Sequence, residues 1–458
     1  MILSAVLAVA LAAVPRPLPK SESGLYVPRL DRLEGLLAFM TRAGERAVTL
    51  RPSTWFSEFH PLLELDFTRG ESLAEAGIAP AGSATLSWRG EGRMTCLDLS
   101  DPKRFEARAR ERLTALGLIW EGKLRGSPVV AAKSPEGILL AGYARKGNVS
   151  CAASSSGDAR PLLEAATRAV GTPSAGGAWA RLRGVSGALF FVSPEGVAGL
   201  DGTPRSLTVD GRARAPAPSL EKGGSSPYAP SAAGLLWMRA QIARADVPVA
   251  VGSLTRSIST VCPTCPRSAV AALERALAER VTGHVSLLVN GVNARGRLRS
   301  DADRYFALRH AWLAEIDDLA ATKKALQHVR ELPGARATGA GYAIAVAGGE
   351  ISVGVQGRQL FVANDSSALK AALDAVADKP SPLAHGAELQ LDPARTARAL
   401  AGISLLDVMG SKEMAGLFAL STELGPLLSI TESVRAFADG GRGSPHQLGL
   451  TWTLRADI

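Results

Sequence analysis

Two hydrophobic rhythms run along this chain, one of short apolar or alternating runs and one of longer stretches with apolar residues every third or fourth position. "GSATLSWRGEGRMTCLDLSDPKRFEARARERL" from Gly82 shows both. It reads as two strands and then a helix whose stripe is Phe105, Ala109, Leu113 and Leu116, with Ser100 and Asp101 as N-cap types. "GHVSLLVNGVNARGRLRSDADRYFALRHAWL" from Gly283 repeats that grammar. Here Ser300 and Asp301 hold the capping place, and the spacing predicts a helix with the stripe Tyr305, Leu308, Trp312, Ile316 and Leu319. A second pair continues the correspondence: "GILLAGYARKGNVSCAASSSGDARPLLEAATRAV" against "GEISVGVQGRQLFVANDSSALKAALDAVAD". Each is a strand pair followed by a short helix, with stripes Leu162, Leu163, Ala166, Val170 and Leu369, Ala372, Leu373, Val376.

The repetition reaches the ends of both halves. "GLYVPRLDRLEGLLAFM" from Gly24 is echoed by "SPYAPSAAGLLWMRAQI" from Ser226, with Tyr26 answered by Tyr228 and Gly35 by Gly234. "SLTVDGRARAPA" closes the first half as "LGLTWTLRADI" closes the chain. Self-similarity at a long offset is the mark of a repeated unit. The fold class expected is therefore α+β: two tandem homologous modules, each mainly antiparallel sheet with helices on one face. The first module spans 24–215, a Pro-, Gly- and Ser-rich linker spans 216–227, and the second module spans 228–458. Within the second, an apolar stretch of about 393–439, broken by Gly and Pro, reads as a helical insertion. It suits core helices covering the second sheet, or a lid or partner-binding face.

Composition then restricts where such a protein works. The run up to Val14 is apolar and uncharged, too short to span a bilayer but suited to a signal peptide over residues 1–13. It lacks a Lys or Arg before the run, and no cysteine follows it to carry a lipid. A soluble, exported protein of the periplasm or extracellular space is expected. The net charge is +9, mostly from dispersed arginines, and its densest run, "DPKRFEARARERL", is the solvated face of an amphipathic helix. Acidic residues sit among the arginines with no stacking aromatics, so no nucleic acid partner is expected. Loose contact with an anionic membrane surface is the milder consequence of the charge.

The apolar leader, the tandem modules and the strand, short turn, strand, Asp-x-x-x-Phe helix grammar resemble bacterial envelope proteins of uncharacterised function built from a repeated α+β unit. The resemblance covers most of the chain but rests on pattern, and it implies no active-site residue.

Motifs for chemistry are few. The six histidines have no i,i+4 pair, so no helical zinc site is read, and no metal or cofactor is expected. Nucleotide-binding glycine patterns and G-x-S-x-G are missing. Ser367 and Lys370 match S-x-x-K without its companion motifs, and Ser367 suits a helix start instead. Glu315, Asp317 and Asp318, near Lys323 and Lys324, are assigned to the wet face of the predicted helix.

Cysteine is the remaining signal. Four residues, Cys96, Cys151, Cys262 and Cys265, allow three pairings, and export favours disulfides. Cys96 and Cys151 fall on strands of the first module that adjacency could join, which leaves Cys262 and Cys265 for each other. The second pair lies before a helix with stripe Val270, Leu273, Leu277 and Val281. Cys265 at the N-cap would gain thiolate character from the helix dipole. Against redox chemistry, "GSLTRSIST" separates the pair from the apolar run "VPVAV", and the matching place in the first module holds His60 and Pro61. The leading expectation is a non-catalytic envelope protein that binds an apolar ligand or a protein partner through the intermodule cleft or the helical insertion. The alternative is a periplasmic thiol-disulfide oxidoreductase using Cys262 and Cys265.

Overall fold

The computed structural model describes residues 23–456 except 57–58, 90, 171–183, 194–195, 214–217, 230–233, 253–260, 263, 294–304, 347, 403–421, 423 and 442–445. The chain divides into two compact units, Met1–Arg214 and Ala215–Ile458.

In the first unit, β1 (Ser23–Val27) lies between β2 (Ala84–Arg89) and β8 (Leu189–Ser193). On the β2 side follow β3 (Gly92–Asp98), β7 (Val149–Ser155), β6 (Leu139–Lys146), β5 (Ser127–Lys133) and β4 (Leu118–Leu124). On the other side follow β9 (Gly196–Thr203) and β10 (Ser206–Ala213). Every pairing is antiparallel, so the order is β4-β5-β6-β7-β3-β2-β1-β8-β9-β10. Helix α1 (Glu34–Gly44) follows β1, α2 (Pro102–Leu116) follows β3 and α3 (Arg160–Ala169) follows β7.

The sheet carries helices on both faces, not on one as the sequence suggested. Phe105, Ala109 and Leu113 of α2 pack with Ala141, Tyr143 and Ala152. Leu162, Leu163 and Ala166 of α3 pack with Ala144, Cys151 and Ala153 on the other side. Neighbouring residues of β7 point to opposite faces, so a strand buried on both takes small or apolar side chains at successive positions. "VSCAAS" satisfies that with small side chains, and a continuous small-residue run does not reveal that both faces are covered.

The second unit holds β12 (Leu236–Gln241) between β13 (Val281–Val292) and β20 (Ala387–Leu391). Beyond β13 come β14 (Leu308–Ile316), β18 (Gln359–Ala363), β17 (Gly349–Gln356), β16 (Gly341–Val346) and β15 (Ala335–Thr338). Beyond β20 come β21 (Thr431–Asp439) and β22 (His446–Leu454). The order β15-β16-β17-β18-β14-β13-β12-β20-β21-β22 repeats the first unit's connectivity strand for strand. A separate pair, β11 (Ser225–Tyr228) and β19 (Val376–Pro382), is an addition. The unit's helices include α4 (Arg267–Ala278), α5 (Leu319–Ala325), α6 (Ser366–Asp374) and α7 (Pro393–Ala401).

Local chemistry explains where elements start. Asp101 caps α2 by accepting from the N–H groups of Lys103 and Arg104, and Asp318 caps α5 by accepting from Ala321. The β6–β7 and β17–β18 hairpins turn at Gly147 and Gly357, both at φ 59°, where a side chain would be strained.

Several expectations change. Leu308–Ile316, predicted as a helix, is β14, a strand paired on both edges. Its apolar residues satisfy a helical spacing as well as a strand buried on both faces, and the true helix waits for the Asp318 cap. The capping role thus belongs to Asp318, while Ser300 and Asp301 lie outside the described residues. Tyr26 sits in β1 of the main sheet but Tyr228 in the added β11, and Gly35 begins a helix whereas Gly234 precedes a strand. That echo therefore joins unlike elements. Residues 431–439 of the expected helical insertion form β21, whose inward residues alternate. Of the remainder, α7 is helical and 403–421 fall outside the described residues. The stretch 216–227 is not loose throughout: Leu220 bridges to Ile242 and Gly440, and Ser226 and Tyr228 are buried. The expected signal peptide, 1–13, lies outside the described residues.

Candidate functional site

Both cysteine pairs are disulfides, Cys96–Cys151 and Cys262–Cys265. The first links residues directly opposite each other on β3 and β7, with Cα atoms 4.0 Å apart. The antiparallel register alone brings them together. The second closes before α4, whose N-cap is Pro266 rather than Cys265, and the Cys265 N–H donates to the Cys262 carbonyl at 3.0 Å. Both residues of this pair are buried, at 4% and 8% exposure. Thiol exchange proceeds by in-line attack on a sulfur, and burial restricts that approach. The apolar run Val247–Val251 that precedes the pair is helical, not a strand.

The other candidates separate into structural duties. Ser367 Oγ donates to Asp365, the N-cap of α6, and accepts from Asn290 Nδ2 at 2.9 Å. Lys370 turns to Asp374 at 2.6 Å, so the S-x-x-K residues are not joined. Glu315 accepts from Thr282 Oγ1, Asp317 pairs with Arg244 and Asp318 caps α5. The arginines of α2 are matched one by one: Arg104 with Asp101, Arg108 with Glu75, Arg110 with Glu121 and Arg112 with Glu64. The densest basic run is therefore interleaved with acids. Among the described residues no cluster of three His, Cys, Asp or Glu side chains could hold a metal ion.

Three histidines, His60, His310 and His446, are buried. His60 is fully buried with its ring edge-on to Phe105, and its Nδ1 accepts from the Leu62 and Leu63 N–H groups at 3.2 and 3.0 Å. Burial, then the Arg93 charge, lowers its pKa to about 3, so the ring is neutral and serves as an acceptor. His310 is likewise lowered by burial, against Tyr305. At the end of β21, His385 Nδ1 lies 2.9 Å from Asp439 and Lys222 lies 3.4 Å from it. Burial opposes the Asp439 charge, but the bonds from His385 and the Gly386 N–H outweigh it and hold the carboxyl below its usual range.

The most concentrated polar network was not legible beforehand. Arg239, buried in mid-β12, donates from Nε and Nη2 to Glu388 Oε2 at 3.0 and 2.8 Å. Its remaining N–H groups go to the Tyr228 carbonyl and Ser381 Oγ from Nη1 and to the Pro382 carbonyl from Nη2. All five guanidinium donors are used. The Tyr228 hydroxyl in turn donates to Gln359 at 2.6 Å, and burial, then Glu315, raises its pKa well above the ordinary value. This network fastens the added β11–β19 pair to the main sheet. Its only sequence sign is an arginine inside the apolar run "LLWMRAQI".

An open cleft of about 370 Å³ lies in the second unit where α7 leaves the sheet and the chain returns to it. Trp237, Leu391 and Pro393 give apolar wall, while Gln390, Thr431 and Arg455 give polar groups. The Trp237 Nε1 is buried and has no hydrogen-bond partner among the described residues. At the matching junction of the first unit, Ser193 pairs directly with Gly196, so β8 and β9 are joined by 194–195 alone.

Among the described residues, no helix is long and apolar enough to cross a membrane. No protein-family model and no curated protein matches the chain. A solved structure titled "Structure of crystal form I of TP0453" is similar over 78% of this chain and 94% of that one, at 8% identity and a TM-score of 0.19, too low to carry an argument.

Proposed function

We propose that the chain is an exported, disulfide-clamped protein of two tandem homologous modules, which binds a partly apolar ligand or partner segment at the root of the insertion. The observation that carries this reading is the position of the cleft. It is lined by Leu391 and Pro393, where the insertion departs, and by Thr431, where it returns. The same junction in the first module needs two residues, so the extra chain and the cleft arise together. The wall joins Trp237, Leu391, Pro393 and Ala394 to Gln390, Asp392, Thr431, Glu432, Ser433 and Arg455, a mixture suited to a ligand with both apolar and polar parts. The repeated strand order, the paired Asp caps and the matched glycine turns support duplication of one module. Two disulfides accord with an oxidising compartment, the periplasm or the extracellular space.

The test uses the full chain and the fluorescent probe N-phenyl-1-naphthylamine, with native mass spectrometry for lipid carried through purification. Ala394→Trp, which fills the cleft, is expected to abolish probe binding and bound lipid, whereas Ala213→Trp in the first module leaves both. Equal binding by the two variants, or no binding by the parent protein, would reject the cleft as the site.

A further inference from the structure

We propose that β4 is a dimerisation edge, pairing antiparallel with β4 of a second copy of this chain about a two-fold axis at Gly122. Among the described residues β4 is bonded on one side only, to β5. Leu124 and Ser127 flank a turn made by Arg125 and Gly126, both at positive φ (49° and 81°), the geometry of a tight hairpin. In such a hairpin the flanking pair exchanges both backbone bonds, and bonded positions then recur every second residue. Residues 124, 122, 120 and 118 therefore bond to β5, while Ile119, Glu121 and Lys123 turn their N–H and C=O outward. Pro128 sits opposite Lys123, where the ladder asks for no N–H, which agrees with that phase.

The free edge is also apolar. Leu118 and Ile119, at the start of β4, are 68% and 39% exposed, and Leu116, just before them at the end of α2, is 41% exposed. An apolar edge with unpaired backbone groups is a template for strand addition.

Charge selects the occupant and the register. Self-pairing about Glu121 sets Glu121 against its own copy, and pairing about Lys123 does the same with two ammonium groups. Pairing about Gly122 places Glu121, which already accepts from Arg110 of α2, opposite Lys123 twice, so each carboxylate lies between two cations, and it places Trp120 opposite Leu124 twice. The axis then falls on the residue with no side chain. A Cβ on Gly122 would collide with the Trp120 ring, which already covers that position. Leu118 and Ile119 come to rest against the partner's Arg125-Gly126 turn.

The full chain is examined by analytical ultracentrifugation over a micromolar range, and a mixture of isotope-labelled and unlabelled protein is treated with a carbodiimide. The expected result is a dimer with an intermolecular Glu121–Lys123 amide. Glu121→Lys and Lys123→Glu should each weaken dimerisation by about tenfold or more, since like charges then face each other. The combined exchange Glu121→Lys with Lys123→Glu should restore it. A monomeric parent protein, a dimer indifferent to the single reversals, or crosslinked peptides that exclude Glu121–Lys123 would overturn the proposal. The mass-labelled crosslink needs no substitution, so it stands even if a charge variant misfolds.

Discussion

The two units solve one packing problem in different ways. Four residues after the glycine that turns each hairpin, β7 carries Cys151 and β18 carries Phe361, each facing the strand that precedes a helix capped by aspartate. Cys151 is bonded to Cys96, while Phe361 lies opposite Leu313 in a cluster with Trp237 and Tyr228. Around both, the backbone is fixed by the same bond: Leu99 N–H to the Asn148 carbonyl at 2.7 Å, Ile316 N–H to the Arg358 carbonyl at 3.0 Å. The position needs two side chains that meet across the strands and shed water. A disulfide does this by covalent constraint on the unfolded chain, and a Leu–Phe pair by burial. The first unit's disulfide lies among Ala131, Ala144 and Ala153 as well as Leu139, Leu162 and Leu163, so the crosslink adds a covalent constraint to an apolar cluster already present.

The comparison can be broken most sharply in the second unit's polar network. Glu388→Ala leaves the Arg239 guanidinium buried without its carboxylate and should cost about 3–5 kcal/mol, read by urea denaturation. Hydrogen exchange should show the loss in the β11–β19 pair first, with the first unit's sheet protected as before. If exchange rises equally in both units, the network is not the local fastening described.

Next in size, replacing Cys96 and Cys151 by alanine should destabilise the first unit by about 2–4 kcal/mol. The substitution Leu313→Cys with Phe361→Cys should form a disulfide in the second unit, detected as a mass two hydrogens lower. Failure of that bond to form would show that the two positions differ in geometry.

Acid sharpens the comparison further. His60 is neutral when folded, with a pKa of about 3 against 6.5 for an ordinary imidazole. Because the folded pKa is depressed, its contribution is complete above pH 6.5 and falls as the unfolded chain takes up the proton that the folded one refuses. Between pH 7 and 5 the first unit should lose about 2 kcal/mol from this group. His60→Asn, which keeps an acceptor for the Leu62 and Leu63 N–H groups, should flatten that slope. An unchanged pH profile in the variant would remove His60 as the cause.

The smallest expected effects are the caps. Asp101→Ala and Asp318→Ala should each cost about 1 kcal/mol, since each removes the acceptor for first-turn N–H groups. Near-equal losses would support equivalent roles for α2 and α5; a large difference would argue that tertiary packing, not capping, sets these helix starts.

Legibility followed how local the cause was. The strand pairs that turn at Gly147 and Gly357, the Asp101 cap and the buried stripe Phe105, Ala109 and Leu113 of α2 could be read from neighbouring residues, since their causes lie within a few positions, whereas Leu116, expected in that stripe, is exposed. The α+β class followed from them. The Cys96–Cys151 partnership was reachable because both fell on strands, but the opposing register came from β3–β7 pairing. β14 was misread because a strand covered on both faces loses the alternation that separates it from a helix. Arg239 was missed because its meaning depends on Glu388, which follows 149 positions later.

The sequence by itself determined the turns, caps, cysteine content and the alternation of strand pairs with helices, because backbone preference and short-range hydrogen bonding act within a few residues. Only the tertiary structure decided that β1 and β12 each receive a late strand, β8 and β20, on their free side. It also decided that both faces of the first sheet are covered and that an arginine could be buried. Those outcomes depend on which distant surfaces exclude water together, and a linear pattern does not carry that information.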